Sequence, residues 1–114
     1  GLIFMKKVYL VITEHEEFNE HNEKFTDIAH VCADIDLAVE YANDYVNCAI
    51  HDSLREEHKG FVWVERQEQS VGKYYSKDEL LNGDNCYLAY GDHDTDSIIE
   101  SYSIKIEEHE VRED

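Results

Sequence analysis

The stretch from Asp34 to Gly60, DIDLAVEYANDYVNCAIHDSLREEHKG, decides the fold class. Leu37, Ala38, Tyr41, Ala42, Tyr45, Ala49 and Leu54 recur at i, i+3 and i+4, the spacing that lines one side of a helix. Asp34 or Asp36 supplies a capping oxygen at its start, and Lys59-Gly60 supplies a stop. The spacing predicts a helix over 35–58, with Glu40, Asp44, Asp52 and Glu56 on its outer face.

The sequence on either side reads as strand. Lys7 to Thr13 (KVYLVIT) is β-branched and aromatic, and is expected to be a mostly buried strand. Glu14 to Lys24 is polar and acidic with Phe18 as its one apolar anchor, and reads as a loop or hairpin end. Phe25 to Cys32 is a second strand. Gly60 to Gln67 (GFVWVERQ) is a third, with Val71 to Tyr75 continuing it around a turn near Gly72. Ser76 and Glu79 form a capping box that opens a short helical turn, ended by Asn82-Gly83-Asp84. Cys86 to Tyr90 is a fourth strand, and Ser97 to Val111 a last long one, with Ile98, Tyr102, Ile104 and Ile106 at alternate positions.

These elements define an α+β fold: a mainly antiparallel β-sheet of about five strands, with one long helix packed on one face. The order is β-β-α-β-short α-β-β. The 114 residues suit a single domain, and residues 1–5 read as a flexible or non-native extension. No apolar run is long enough for a membrane span. Cys32, Cys48 and Cys86 have no CxxC spacing. Reduced thiols are expected, each a small buried apolar side chain, as is a cytoplasmic location.

Charge is the outlying property. Asp and Glu number 27 against 10 Lys and Arg, a net charge of −17. Residues 76–114 alone hold twelve acids and three bases. Such a field repels nucleic acid and anionic membranes and attracts basic proteins. Asp36, Glu40 and Asp44 fall on one helical stripe, about 6 Å apart along the axis. Asp92, Asp94 and Asp96 would share one side of an extended segment, about 6.6 Å apart. Phosphates repeat at comparable spacing along a duplex strand. Glu107, Glu108 and Glu110 make a third cluster.

The expected function is therefore an acidic protein-binding inhibitor or DNA mimic. Its partner would be a basic nucleic-acid-binding protein or nuclease whose groove it blocks. Phage-encoded anti-defence proteins, anti-CRISPR proteins and nuclease immunity proteins act in this general way. The other expectation is a small adaptor or structural subunit that pairs through a sheet edge, or through Tyr74 and Tyr75, with a copy of itself or with another protein. Its acids would then serve solubility alone.

Catalysis is not expected, because the chain has no Gly-rich phosphate loop, GxSxG elbow or CxxC pair. No cofactor and no metal are expected either. Asp92-x-Asp94-x-Asp96 opens like a calcium loop but has Ser97 at the sixth position and Ser103 at the twelfth, where Gly and Glu are needed. His15, Glu17 and His21, or His93 with its aspartates, offer metal donors without a recognised spacing.

Overall fold

A computed structural model describes residues 4–18, 20–53, 74–83, 85–92 and 97–113. The elements are β1 (Phe4–Glu17), β2 (Glu23–Cys32), α1 (Ile35–Ser53), α2 (Lys77–Asn82), β3 (Asn85–Asp92) and β4 (Ser97–Glu113). The four strands form one sheet in the order β2-β1-β4-β3, and every pair is antiparallel. The α+β class and the antiparallel sheet agree with the reading above. The expected strand at Gly60–Gln67 lies outside the described residues, as do residues 71–73 and the expected end of the long helix at 54–58. Tyr74 and Tyr75 belong to no strand. β1 begins at Phe4, which pairs with Glu113.

Of the two readings of the acidic run after Thr13, the structure has the hairpin end and not the loop. Glu14 to Glu17 continue β1, and Glu23 and Lys24 begin β2. Cross-strand ion pairs hold this polar extension together. Glu14 lies 3.4 Å from both Lys24 on β2 and Lys105 on β4. The turn closes through Asn22 at φ 46°, a left-handed conformation that asparagine tolerates well. The Phe18 amide then donates to the Ile99 carbonyl at 2.8 Å.

Register assigns the two faces of the sheet. On β1, odd residues stand opposite even residues of β4: Val11 faces Ile106, Thr13 faces Ile104 and His15 faces Tyr102. This side carries the core, where Val11, Ile104 and Ile106 pack with Ala38, Val39, Ala42 and Val46 of α1 and with Leu80 of α2. The opposite side carries Val8, Leu10 and Ile12, beside Val31 and Ile28 of β2.

α1 meets the sheet on a stripe that keeps Ala38 and Ala42 of the expected one but is rotated away from Leu37, Tyr41 and Tyr45. Ala38, Val39, Ala42, Asn43 and Val46 are buried, whereas Leu37, Tyr41 and Tyr45 are 37–40% exposed. Small and β-branched side chains let the helix approach closely, and the rings of Tyr41 and Tyr45, four residues apart, lie along one flank. The polar Asn43 belongs to the buried stripe because it ties down the segment before α2. Its side chain accepts from the Tyr75 amide at 2.7 Å and donates to the Tyr75 carbonyl at 3.0 Å and the Val39 carbonyl at 2.9 Å. Tyr75 is thereby held at 3% exposure, which corrects its expected place on a binding surface.

The caps follow the sequence. Asp34 is the residue that caps α1, its Oδ1 accepting from the Asp36 amide at 2.7 Å. Ser76 and Glu79 form the reciprocal capping box of α2, and Gly83 ends it at φ 75°.

Asn43 is the polar contact on which the docking of this segment turns. Asn43→Ala is expected to destabilise the protein by about 2 kcal/mol, the scale for losing buried hydrogen bonds. Asn43→Asp should cost more, because a carboxylate keeps the acceptor but cannot donate to either carbonyl. Urea denaturation followed by circular dichroism measures both, and an Asn43→Ala variant as stable as the parent would contradict this assignment.

Candidate functional site

Two surfaces carry chemistry. The first is the outer side of α1. Asp36, Glu40 and Asp44 are all exposed, as their i, i+4, i+8 spacing requires. Among the described residues, no basic side chain pairs with any of the three. Like charges at i, i+4 cost a helix a few tenths of a kcal/mol each. Two half-exposed aromatic rings flank this stripe. Tyr41 stacks on His30 of β2 at 4.3 Å between ring centroids, and Tyr45 meets Tyr87 of β3 edge-on at 6.4 Å.

The structure separates the other expected acids. Glu108 and Glu110 follow Ile104 and Ile106 in phase and so lie on the helix side of the sheet. Cys32, Tyr9 and Glu108 share one rung, and two residues after Cys32 comes the cap of α1, so these acids sit at the same end as Asp34 and Asp36. Glu108 is occupied: it accepts from the Tyr9 hydroxyl at 3.3 Å and lies 3.2 Å from Lys7 Nζ. The hydrogen bond of Lys7 itself to Glu108, and then the Glu108 charge, raise the Lys7 pKa above its usual value.

Glu107 lies on the other side of the sheet, 3.6 Å from Lys105 and 3.4 Å from His109. It therefore does not form one cluster with Glu108 and Glu110, because adjacent strand residues point to opposite faces. Asp92 ends β3 opposite Ser97. Thirteen positions of β4 separate Ser97 from Glu110, about 43 Å of strand, so Asp92 and Glu110 stand at opposite ends of the sheet. Asp94 and Asp96 lie outside the described residues. Tyr74 is exposed as expected.

The second surface lies at the far end of the helix side. His15 stands on one rung with Phe25 of β2 and Tyr102 of β4. Its ring stacks on Tyr102 at 4.4 Å, only 2° from parallel, and on Phe25 at 5.8 Å. Tyr102 continues to Tyr87 at 6.3 Å, and Tyr87 to Tyr45. An aromatic chain thus crosses all four strands and reaches the helix, bordering a pocket of about 180 Å³ with Thr13 and Asp27 on its wall.

One rung further out, Glu17 faces Glu100. Single donor atoms of His15, Glu17 and Glu100 lie within 4.8 Å of one another. His15 Nε2 is 3.7 Å from Glu100 Oε1, and it is buried without a hydrogen-bond partner. The Tyr102 hydroxyl donates to Glu100 Oε2 at 3.4 Å. Alternation along β1 was enough to place His15 and Glu17 on one side; Glu100 joins them only through the β1–β4 register. His21 falls in the hairpin turn, outside this cluster.

No helix among the described residues is long and apolar enough to cross a membrane. No protein-family model matches the chain, and neither a curated protein nor a solved structure is significantly similar to it.

The cysteines do not share one environment. Cys32 is buried, and burial followed by the charge of Asp34 pushes its thiol pKa up, whereas Cys48 is exposed on α1. In a Cys86→Ser background, a thiol reagent near pH 7.5 is expected to modify Cys48 at once and Cys32 only on denaturation. Equal rates for the two in the native protein would contradict this placement.

Proposed function

We propose that this chain is an acidic protein-binding inhibitor whose helix face occupies the basic groove of a nucleic-acid-binding protein. The observation that carries the reading is the exposed stripe of Asp36, Glu40 and Asp44, whose charge no described basic residue offsets. Elsewhere the acids Glu14, Glu107 and Glu108 each have a lysine beside them. Of the other expected acids, Asp92 and Glu110 stand at opposite ends of the sheet, and Glu107 lies on the side away from α1. The mimic is therefore one short row, about 12 Å long at 1.5 Å per residue. Tyr41 and Tyr45 border it as large amphipathic contacts, a residue type enriched at binding hot spots. A partner with an Arg- or Lys-lined groove satisfies both features, and the net charge of −17 speeds its approach. Such a partner would be met in the cytoplasm.

A second reading has its own support. Val31 and Ile28 are 66% and 58% exposed on the side of the sheet away from α1, and Val111 is exposed there too. An adaptor or a self-associating subunit would bury these residues, leaving the acids to solubility.

The two readings differ in what dissolves the complex. Partners retained from a lysate of the source organism at about 50 mM salt should be released near 0.5 M salt, where screening shrinks to a few ångströms. Short duplex DNA should also elute them, and the variant Asp36→Lys/Glu40→Lys/Asp44→Lys should not retain them while keeping its native circular dichroism. A partner that stays bound to this variant, or that survives high salt and DNA, assigns binding to another surface. If such a partner is then lost on Ile28→Glu/Val31→Glu, the sheet side away from α1 is the interface.

A further inference from the structure

The geometry points to a binding site for one divalent transition-metal ion, of the zinc type, formed by His15, Glu17 and Glu100. His15 and Glu17 are two apart on β1 and so share a side of the sheet, and Glu100 stands directly opposite Glu17 on β4. Their donor atoms already lie within 4.8 Å of one another.

Three observations point to a cation in particular. The first is the orphaned nitrogen. Buried polar atoms are nearly always hydrogen-bonded, yet His15 Nε2 has no hydrogen-bond partner and faces Glu100 Oε1 at 3.7 Å. That distance is too long for a hydrogen bond. It is close to the separation of two ligands on one ion, about 3.4 Å for metal–ligand bonds near 2.1 Å in a tetrahedron. The second is the like-charge pair. Carboxylates directly opposite in a sheet destabilise it, and Glu17 and Glu100 are such a pair. A divalent cation turns this repulsion into attraction. The third is pre-organisation. Stacking between Tyr102 and Phe25 holds the imidazole in place before any ligand arrives. The Tyr102 hydroxyl meanwhile steadies Glu100 through its other oxygen, the support that ligating carboxylates usually receive.

The donor set selects the ion. One imidazole nitrogen with two carboxylates suits zinc, manganese or ferrous iron better than calcium, which takes oxygen ligands alone. Three protein ligands leave at least one position for water, and the partial exposure of His15 and Glu100 gives an ion access. Bound there, the ion would clamp β1 to β4 beyond the reach of the helix.

The test uses the full chain without an affinity tag, stripped by chelator and titrated with Zn²⁺ by calorimetry and with Co²⁺ by visible absorption. One equivalent is expected to bind, with Co²⁺ developing the absorption bands of a low-coordinate site. His15→Phe keeps a ring in the stack and removes the nitrogen, while Glu17→Gln and Glu100→Gln keep size and remove charge. Each should weaken binding by about tenfold or more, the scale of losing a ligand or its support. His109→Gln, on the other side of the sheet, should leave it unchanged. If the wild type binds no stoichiometric metal, or if the three variants bind as the wild type does, the site does not exist and any uptake is diffuse association with the acidic surface. Should His15→Phe not fold, the two glutamine variants decide the question by the same readings.

Discussion

Fourteen residues of β1 lie opposite fourteen of β4, from Phe4 facing Glu113 to Glu17 facing Glu100, and the two faces of the sheet take their sides from that ladder. Side chains alternate with a period of two, so a slip of one residue would exchange the two faces. Val11, Ile104 and Ile106 would then face away from α1, and Glu107 would take the place of Glu108. The ladder joins segments about a hundred positions apart, as in the bond from Tyr9 to Glu108. Closing so long a loop is costly in entropy. The burial of Val11, Ile104 and Ile106 under the helix offsets that cost and holds the register.

The same ladder organises the charge. On the side away from α1, Lys24, Glu14, Lys105 and Glu107 form a continuous line of alternating charges across β2, β1 and β4, with the His109 ring beside Glu107. On the helix side, Lys7 answers Glu108 at one end, and Glu17 meets Glu100 at the other. The outward stripe of α1 stands apart from both arrangements. An excess of 17 negative charges is therefore not an even coat. Lysines stand beside acids along the side of the sheet away from α1, whereas among the described residues no basic side chain pairs with the outward stripe of α1.

Local physics made much of this readable beforehand. The capping box at Ser76 and Glu79, the left-handed stop at Gly83, the apolar alternation of β4 and the exposure of Asp36, Glu40 and Asp44 are short-range consequences of hydrogen bonding and periodicity, and each stands where its pattern places it. What was not readable has a common cause. Glu14 to Glu17 read equally as a loop or a hairpin end because their partners, Lys24 and Lys105, come from other strands. The burial of Asn43 left no mark in the sequence because the backbone it binds, at Tyr75, is 32 positions away. Tyr75 looked exposed for the same reason.

The sequence alone determined the α+β class, the acidic stripe of the long helix and the excess of negative charge, because these depend on residue identity and on neighbours within about four positions. Only the tertiary structure decided which acids stand together. It moved Asp92 and Glu110 to opposite ends, set Glu107 apart from Glu108, and brought Glu100 to His15 and Glu17. Those relations depend on strand register, which is fixed by core packing summed over the whole sheet and leaves no mark at the individual residues it brings together.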